Sequence, residues 1–450
     1  MVDGLITGST NILLPPPGLK RKLETGSIAA DYMDSRARYL HDGGPMNLAE
    51  IVAKTILENP EIGIARARAE DSKHAIGVAK AALFPKIDLS LATGLENTYF
   101  VNKTSKGVRR QEASITVKQN LFDFGKTSSD IARARALLAS AKLHLVDKTD
   151  EIVLNVASAY LDVLEARRFV GISRQNVASH KKLYKLVKAN EEGGNATAAD
   201  TKRVASRQES ANANLIDVES KLQAAKEEFR KITKLYPGRL APPPEFNNKT
   251  FSSDEAEIEA KLAQNPILLS ILEDIKSLRR QLSAAKRGRL PKLTFEGYGN
   301  SKKNISGYND RAHDFRGMIK LSYSLFDGGA KHHGIMQIKA RIQENELRYQ
   351  QLRNELLQEY KNSAQTANAS FSKASSINAR LKASAKVKRL YIEQFKAGKR
   401  TVFELLDAQT DYFNAQSEEI TNTFLRLRTK YKKLRLNGKL VETILGYSER

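Results

Sequence analysis

The chain has no cysteine, no long apolar run and a shortage of acidic residues. Without cysteine there are no disulfides, no acylated N-terminal cysteine and no thiolate metal site. An oxidising compartment is neither required nor forbidden. No stretch approaches the ~18 uninterrupted apolar residues of a spanning helix, and mean hydropathy is negative. That absence says little about membrane β-strands, which alternate and give a weak signal per segment. Asp and Glu number 51 against 74 Lys and Arg, a formal net charge of +23 over 450 residues. Taken alone, such an excess suggests nucleic acid or an anionic surface. The basic residues are spread along helical patterns among Glu and Asp, so a solvated helix face is the better reading.

Catalytic signatures are missing too. There is no P-loop, no Ser–His–Asp signature and no carboxylate pair in a Gly-rich setting. Gly297-Tyr298-Gly299 lacks the third glycine of a dinucleotide loop. His332 and His333 diverge by about 100° on a helix, so with His313 they read as surface residues. The expectation is a protein that is not an enzyme and holds no metal or cofactor. Any export energy then comes from a partner. Residues 1–30 lack the apolar stretch of a secretory signal. If the protein is exported, a signal has been removed or the start is not native. Pro15-Pro16-Pro17-Gly18 and Lys20-Arg21-Lys22 mark residues 1–45 as an extended, flexible lead-in.

What is present is a duplication. Asn59-Pro60 and Asn265-Pro266 lie 206 residues apart, as do Phe84-Pro85 and Leu290-Pro291. Leu121-Phe122-Asp123-Phe124-Gly125 matches Leu325-Phe326-Asp327-Gly328-Gly329 with a shift of 204. Gly194, Thr197 and Asp200 match Gly398, Thr401 and Glu404 with the same shift of 204. Repeat 1 spans 46–236, a Pro-rich linker 237–255, repeat 2 256–440 and a tail 441–450. Each repeat reads as short helix, strand, strand, long helix, tight turn, medium helix. The helices are expected at about 62–83, 126–191 and 197–234, then 266–288, 330–396 and 401–435. No Pro or Gly breaks 126–170, and only Gly334 interrupts 330–396. A helix of that length spans on the order of 100 Å, far more than a compact domain needs. Coiled-coil-like packing is therefore expected. The short and medium helices together match one long helix, so they are expected to stack beside it.

Four segments alternate with period two. Strands are expected at about 86–96, 113–122, 292–299 and 316–326. Ile87, Leu89 and Leu91 share one face, and Asp88, Ser90 and Ala92 the other. A barrel wall around water and a half-buried soluble sheet both produce this pattern. Four strands cannot close a membrane barrel, so a spanning sheet would have to be shared among protomers. Two copies would supply eight strands and three would supply twelve. The connecting loops, Asn97 to Gln111 and Asn300 to Arg316, are polar and charged.

The ordered landmarks resemble the TolC family of outer-membrane efflux proteins, over about 46 to 440. The motifs carrying the likeness are Asn59-Pro60, Leu83-Phe84-Pro85-Lys86, Gln119-Asn120-Leu121-Phe122-Asp123-Phe124-Gly125, Ala159-Tyr160-Leu161-Asp162-Val163 and the segment Gly398 to Gln409. The resemblance implies a homotrimer in which a twelve-stranded β-barrel in the outer membrane joins a long α-helical tunnel in the periplasm. It implies a periplasmic adaptor and an inner-membrane transporter as partners, outer-membrane lipid around the barrel, and no nucleic acid. The function implied is the exit duct of tripartite efflux or type I secretion. The competing reading is a soluble basic coiled-coil scaffold or nucleic-acid-binding rod. By the same resemblance the turns Gly193, Gly194, Asn195 and Thr197, and Gly398, Lys399 and Thr401, form the tip that meets the adaptor. Glu404 and Asp407 match pore-lining acidic rings. Asp200, Phe395 and Arg400 match the groups that hold the tip shut. Phe395 lacks the hydroxyl of the family's Tyr, and Ala199 stands where a Thr partner is found, so an Arg400–Asp200 contact is expected as a substitute. Without the likeness, Arg400, Glu404 and Asp407 read as an i,i+4 salt-bridge face, and Phe395 as a core residue.

Overall fold

Residues 45–244, 254–305 and 310–446, apart from positions 98, 101–102 and 105–106, are described in a computed structural model of the chain. The expected lead-in 1–45 lies almost wholly outside the described residues, as does the middle of the linker. In chain order the elements are α1 (Leu48–Glu58), α2 (Pro60–Ala81), β1 (Lys86–Glu96), β2 (Val108–Phe122), α3 (Lys126–Glu192) and α4 (Ala198–Thr233). The second repeat supplies α5 (Glu255–Leu262), α6 (Pro266–Arg287), β3 (Lys292–Lys303), β4 (Arg311–Ser322), α7 (Ala330–Lys396), α8 (Val402–Leu436) and α9 (Leu440–Ile444). The six helices expected from periodicity differ from these bounds by at most two residues. The chain divides into two units, each described in turn. One contains the sheet, in residues 66–144 and 267–352. The other contains the described residues up to Ala65, from Leu145 to Pro266 and from Arg353 onward.

In the sheet unit four long strands form an antiparallel meander in the order β1-β2-β3-β4, so β2 of the first repeat pairs with β3 of the second, and two short segments, Tyr99–Phe100 and Lys103–Thr104, pair separately. Residues directly opposite share a face. One face carries the rows Leu89, Ile115, Gly299, Phe315 and Ile87, Val117, Gly297, Gly317. The other is a lattice of charges: Arg110 reaches Glu96 at 3.0 Å and Glu112 at 2.8 Å, and Glu296 lies 3.4 Å from Lys118 and 3.7 Å from Lys320. Phe315 lies 3.2 Å from where a Cβ on Gly299 would sit, so that glycine makes room for the ring. The strands run further into the expected loops than alternation suggests. β2 begins at Val108 instead of 113, β3 continues to Lys303 instead of 299, and β4 begins at Arg311 instead of 316 and ends at Ser322 instead of 326. Ladder hydrogen bonds join backbone groups, so pairing continues where apolar alternation stops.

Asp123 and Asp327 explain the duplicated Leu-Phe-Asp motif. Asp123 accepts from the Gly125 amide at 3.1 Å and the Thr127 amide at 3.0 Å; Asp327 accepts from Gly329 at 3.1 Å and Lys331 at 3.3 Å. Each carboxylate thereby caps the start of a long helix. Two left-handed residues follow each Asp: Phe124 and Gly125 at φ 56° and 81°, then Gly328 and Gly329 at 64° and 85°. Arg287 of α6 donates to the Gly125 carbonyl at 2.8 Å and the Ser129 hydroxyl at 2.9 Å, tying the second repeat to the first. Along the same unit, Arg279 of α6 reaches Glu346 of α7 at 2.8 Å.

In the other unit, α4 lies beside α3, with Arg174 2.8 Å from Glu219. α8 lies beside α7, with Arg380 2.8 Å from Glu418. The core gathers Val153, Val156, Tyr160 and Leu161 of α3 with Ile51 and Ile56 of α1, Phe229 of α4, and Phe424 and Tyr431 of α8. Tyr160 is fully buried, and its hydroxyl donates to the Ala241 carbonyl. Burial pushes that phenol up to about 12. Arg167 donates to the carbonyls of Pro237 at 2.8 Å and Gly238 at 2.6 Å, so this part of the linker is fastened to α3. α1, α5 and α9 were not expected from periodicity. α1 carries a capping box, Asn47 with Glu50, that marks its start. The expected tail 441–450 is corrected in part: Val441, Ile444 and Leu445 are buried in the core because α9 presents its apolar face there.

Candidate functional site

The turns after α3 and α7 share one construction. Gly194 has φ +76° and Gly398 φ +71°, the left-handed conformation glycine adopts without steric cost. The Gly194 amide donates to Glu191 at 2.9 Å and Asn195 to Asn190 at 2.7 Å; Gly398 donates to Phe395 at 3.0 Å and Lys399 to Gln394 at 2.9 Å. These paired bonds are the Schellman pattern, which satisfies the last carbonyls of a helix. Gly193 lies just before the first left-handed residue, and Thr197 begins the next helix. The Thr197 amide donates to Asp200 at 3.2 Å, and the Asp200 amide donates back to the Thr197 hydroxyl oxygen at 3.2 Å. The Thr401 amide donates to Glu404 at 3.0 Å, and the Glu404 amide returns a bond of 3.4 Å. Both are capping boxes. A Gly398→Val variant is expected to lose about 1–2 kcal/mol from left-handed strain, although open space surrounds the position. Limited proteolysis at the turn measures that loss, and an unchanged cleavage rate contradicts it.

One apolar cluster brings the two turns together: Leu183, Val187 and Val204 from the first repeat, and Phe395, Val402, Leu405 and Leu406 from the second. Phe395 is 7% exposed and packs inside this cluster. Arg400 does not meet Asp200. Its Nε donates to Gln394 at 3.0 Å, its guanidinium lies 4.3 Å from the centre of the Tyr391 ring, and it pairs with Glu404. Asp200 is held instead by Thr197, whose hydroxyl donates to it at 2.8 Å. Besides the apolar cluster, Arg203 lies over the Phe403 ring at 5.9 Å across the turns. Tyr391, Gln394, Arg203 and Phe403 were not legible as partners, because nothing local marks which residues face each other across two helices. Glu404 is half-buried and Asp407 exposed. The Thr401 amide, then Arg400 and the Thr401 hydroxyl, hold the Glu404 carboxyl below the usual range. Above the turns, Gln409 of α8 donates to Asn176 of α3 at 2.7 Å.

The sheet is the second feature of functional interest. Its edge strands β1 and β4 each pair on one side only among the described strands. Leu91 on β1 is 72% exposed and Ile319 on β4 is 69% exposed. Among the described residues no helix is long and apolar enough to cross a membrane.

Comparison with known proteins agrees with this architecture. The chain is 26% identical over 395 residues to "Outer membrane protein TolC" of Salmonella enteritidis, covering 83% of this chain and 78% of that one. It is 24% identical over 380 residues to "Alkaline protease secretion protein AprF" of Pseudomonas aeruginosa, covering 80% and 78%. The solved Campylobacter jejuni CmeC outer membrane channel superposes with a TM-score of 0.76 at 15% identity, covering 87% of this chain and 86% of that one. The sequence profile described as "Outer membrane efflux protein" matches residues 51–233 and 258–432, one match per repeat. The chain therefore belongs to the outer membrane efflux protein family.

Proposed function

We propose that this protein is the passive outer-membrane exit duct of an efflux pump or type I secretion system. The observation that carries the reading is the open four-stranded meander, apolar and exposed on one face, charged on the other, with an unpaired edge at each end. Such a sheet in lipid must close on itself, because unpaired backbone groups are costly there. Closure needs further copies, and three copies of four strands give twelve. The apolar rows then face lipid and the charged lattice faces water. A soluble scaffold or nucleic-acid rod leaves the apolar rows in water.

In this reading α3, α4, α7 and α8 build the periplasmic tunnel, and the Gly193–Thr197 and Gly398–Thr401 turns form the tip that meets a periplasmic adaptor, itself coupled to an inner-membrane transporter. Asp407 is the open acidic group at the pore, while Glu404 is shared between the Thr401 cap and Arg400. Tip closure rests on Arg400 gripping Tyr391, Gln394 and Glu404, with Phe395 packed beneath as an apolar anchor. Extraction tests the reading. The protein should sediment with outer membranes, require detergent for release, run as a trimer and conduct ions in a planar bilayer. A salt-released, non-conducting dimer overturns it.

A further inference from the structure

The end of the sheet that joins the helices is both basic and apolar. Register defines that end: Lys86 lies opposite Lys118, Phe122 opposite Leu293 and Lys292 opposite Ser322. The chain enters the sheet there twice, through residues 80–86 and 286–292, the last turns of α2 and α6 and the links that follow. The two segments share one pattern at a shift of 206: Lys80 with Phe84-Pro85-Lys86, and Lys286 with Leu290-Pro291-Lys292. They contain two and four basic residues and no Asp or Glu. Lys86 pairs with Asp88 at 3.0 Å, and Arg287 directs its donors to the neutral Gly125 carbonyl and Ser129 hydroxyl. Lys80, Lys286, Arg289 and Lys292 are exposed, and among the described residues none of them has an acid within ion-pair distance. The Lys126 side chain passes 3.8 Å from where a Cβ on Gly288 would sit, so bases of both repeats meet at this edge. Large apolar side chains are exposed at the same end. Phe84 is 67% exposed, and Leu325 and Phe326, just past β4, are each 89% exposed. Phe122 and Phe124 are exposed too, packed edge to face with ring centres 4.7 Å apart. Toward the far end acids are interleaved with the bases: Glu96 and Glu112 hold Arg110, and Asp314 lies 3.6 Å from Arg316.

We infer that this helix-side rim binds the headgroups of anionic phospholipids, phosphodiesters of the phosphatidylglycerol kind, in the leaflet that faces the periplasm. The inference rests on the duct reading and names the lipid chemistry at one edge of the membrane band. Two observations favour a lipid surface over other anions. Each entry segment sets exposed bases within a few residues of an exposed Phe or Leu, so apolar atoms can enter the acyl boundary while the long basic stems reach the phosphates. An aliphatic side chain such as Leu290 or Leu325 finds no such apolar layer on a polyanion in water. The pattern also occurs in both repeats, so copies assembled around a barrel would repeat it along the whole rim, as a leaflet requires and a single bound molecule does not. A basic residue close to an anionic surface favours binding on the order of fivefold, and the attraction fades within a Debye length.

The test reconstitutes the full-length protein in phosphatidylcholine vesicles with a trace of spin-labelled phosphatidylglycerol or spin-labelled phosphatidylethanolamine. The fraction of each label immobilised by the protein is read from its spectrum. Phosphatidylglycerol should be enriched at the protein about fivefold over phosphatidylethanolamine, and high salt should bring the two toward parity. Combining Lys80→Gln, Arg289→Gln and Lys292→Gln should abolish the preference while bilayer conductance stays as in the parent. Lys80→Gln alone, at an exposed helix end, should lower it part-way. The matched control removes three bases from the other end of the sheet, Arg109→Gln, Lys303→Gln and Arg311→Gln, and should keep the preference. Equal immobilisation of the two lipids by the parent overturns the inference. So does a preference that the control loses and the helix-side variant keeps, which would assign it to the opposite leaflet. A parent that prefers phosphatidylglycerol but forms no channel counts against the duct and leaves the rim standing.

Discussion

Replacing Leu89 and Ile319 together by lysine is expected to abolish the assembled trimer in the outer membrane. Both side chains lie on the apolar face, Leu89 opposite Ile115 and Ile319 opposite Phe295. A lysine on the lipid face of a barrel near the midplane costs about 2–4 kcal/mol. Two per protomer cost about 4–8 kcal/mol, comparable with the ~5–15 kcal/mol by which most folded proteins are stable. The matched control is Ser90→Lys, which lies on the charged face opposite Ser114. That variant should assemble. The measurement is the trimer band of outer-membrane fractions in mild detergent. Equal loss in both variants would show that the two faces are not lipid and water.

Arg400→Ser is expected to raise single-channel conductance several-fold and to shift permeability toward cations. The substitution removes the bond to Gln394, the stacking on Tyr391 and the charge that neutralises Glu404. It also adds one unit of negative charge per protomer at the constriction, which favours cations. Arg400→Lys should give an intermediate result, since lysine keeps the charge but not the planar fork. The effect depends on pH through Glu404. Its folded pKa is lowered, so its capping and pairing contribution is complete above the ordinary carboxylate value and is lost as pH falls through the lowered one. In Arg400→Ser one of the groups lowering that value is gone, so the cation preference should fade at a higher pH than Glu404 titrates in the parent. Conductance unchanged from the parent at neutral pH removes Arg400 from the gate.

The expected i,i+4 pairing of Arg400 with Glu404 and the core position of Phe395 both appear in the structure. They were the plainer readings of those residues, and they are compatible with the proposed gate. Phe395 packs in the apolar cluster at the turns, and Arg400 pairs with Glu404. The Arg400–Asp200 substitute was not found: Arg400 is held by Gln394, Tyr391 and Glu404 beside it. A motif comparison gives the order of residues, whereas an arginine takes the acceptor nearest its guanidinium.

By itself, the sequence determined whatever depends on a few neighbouring residues. The duplication shows as landmarks recurring at a constant offset, and the long helices as stretches without Pro; the two left-handed glycines and the Thr-x-x-acid boxes act within about one helical turn, so spacing reveals them. Alternation likewise assigned residues to sheet faces. Only the tertiary structure decided which groups meet across long separations. It joined β2 to β3 and so made one sheet from two repeats. It carried Arg428 to within 2.5 Å of Asp162, 266 residues away, and buried Tyr160 against the Ala241 carbonyl. Ion pairing and burial depend on proximity in space, which no local propensity encodes.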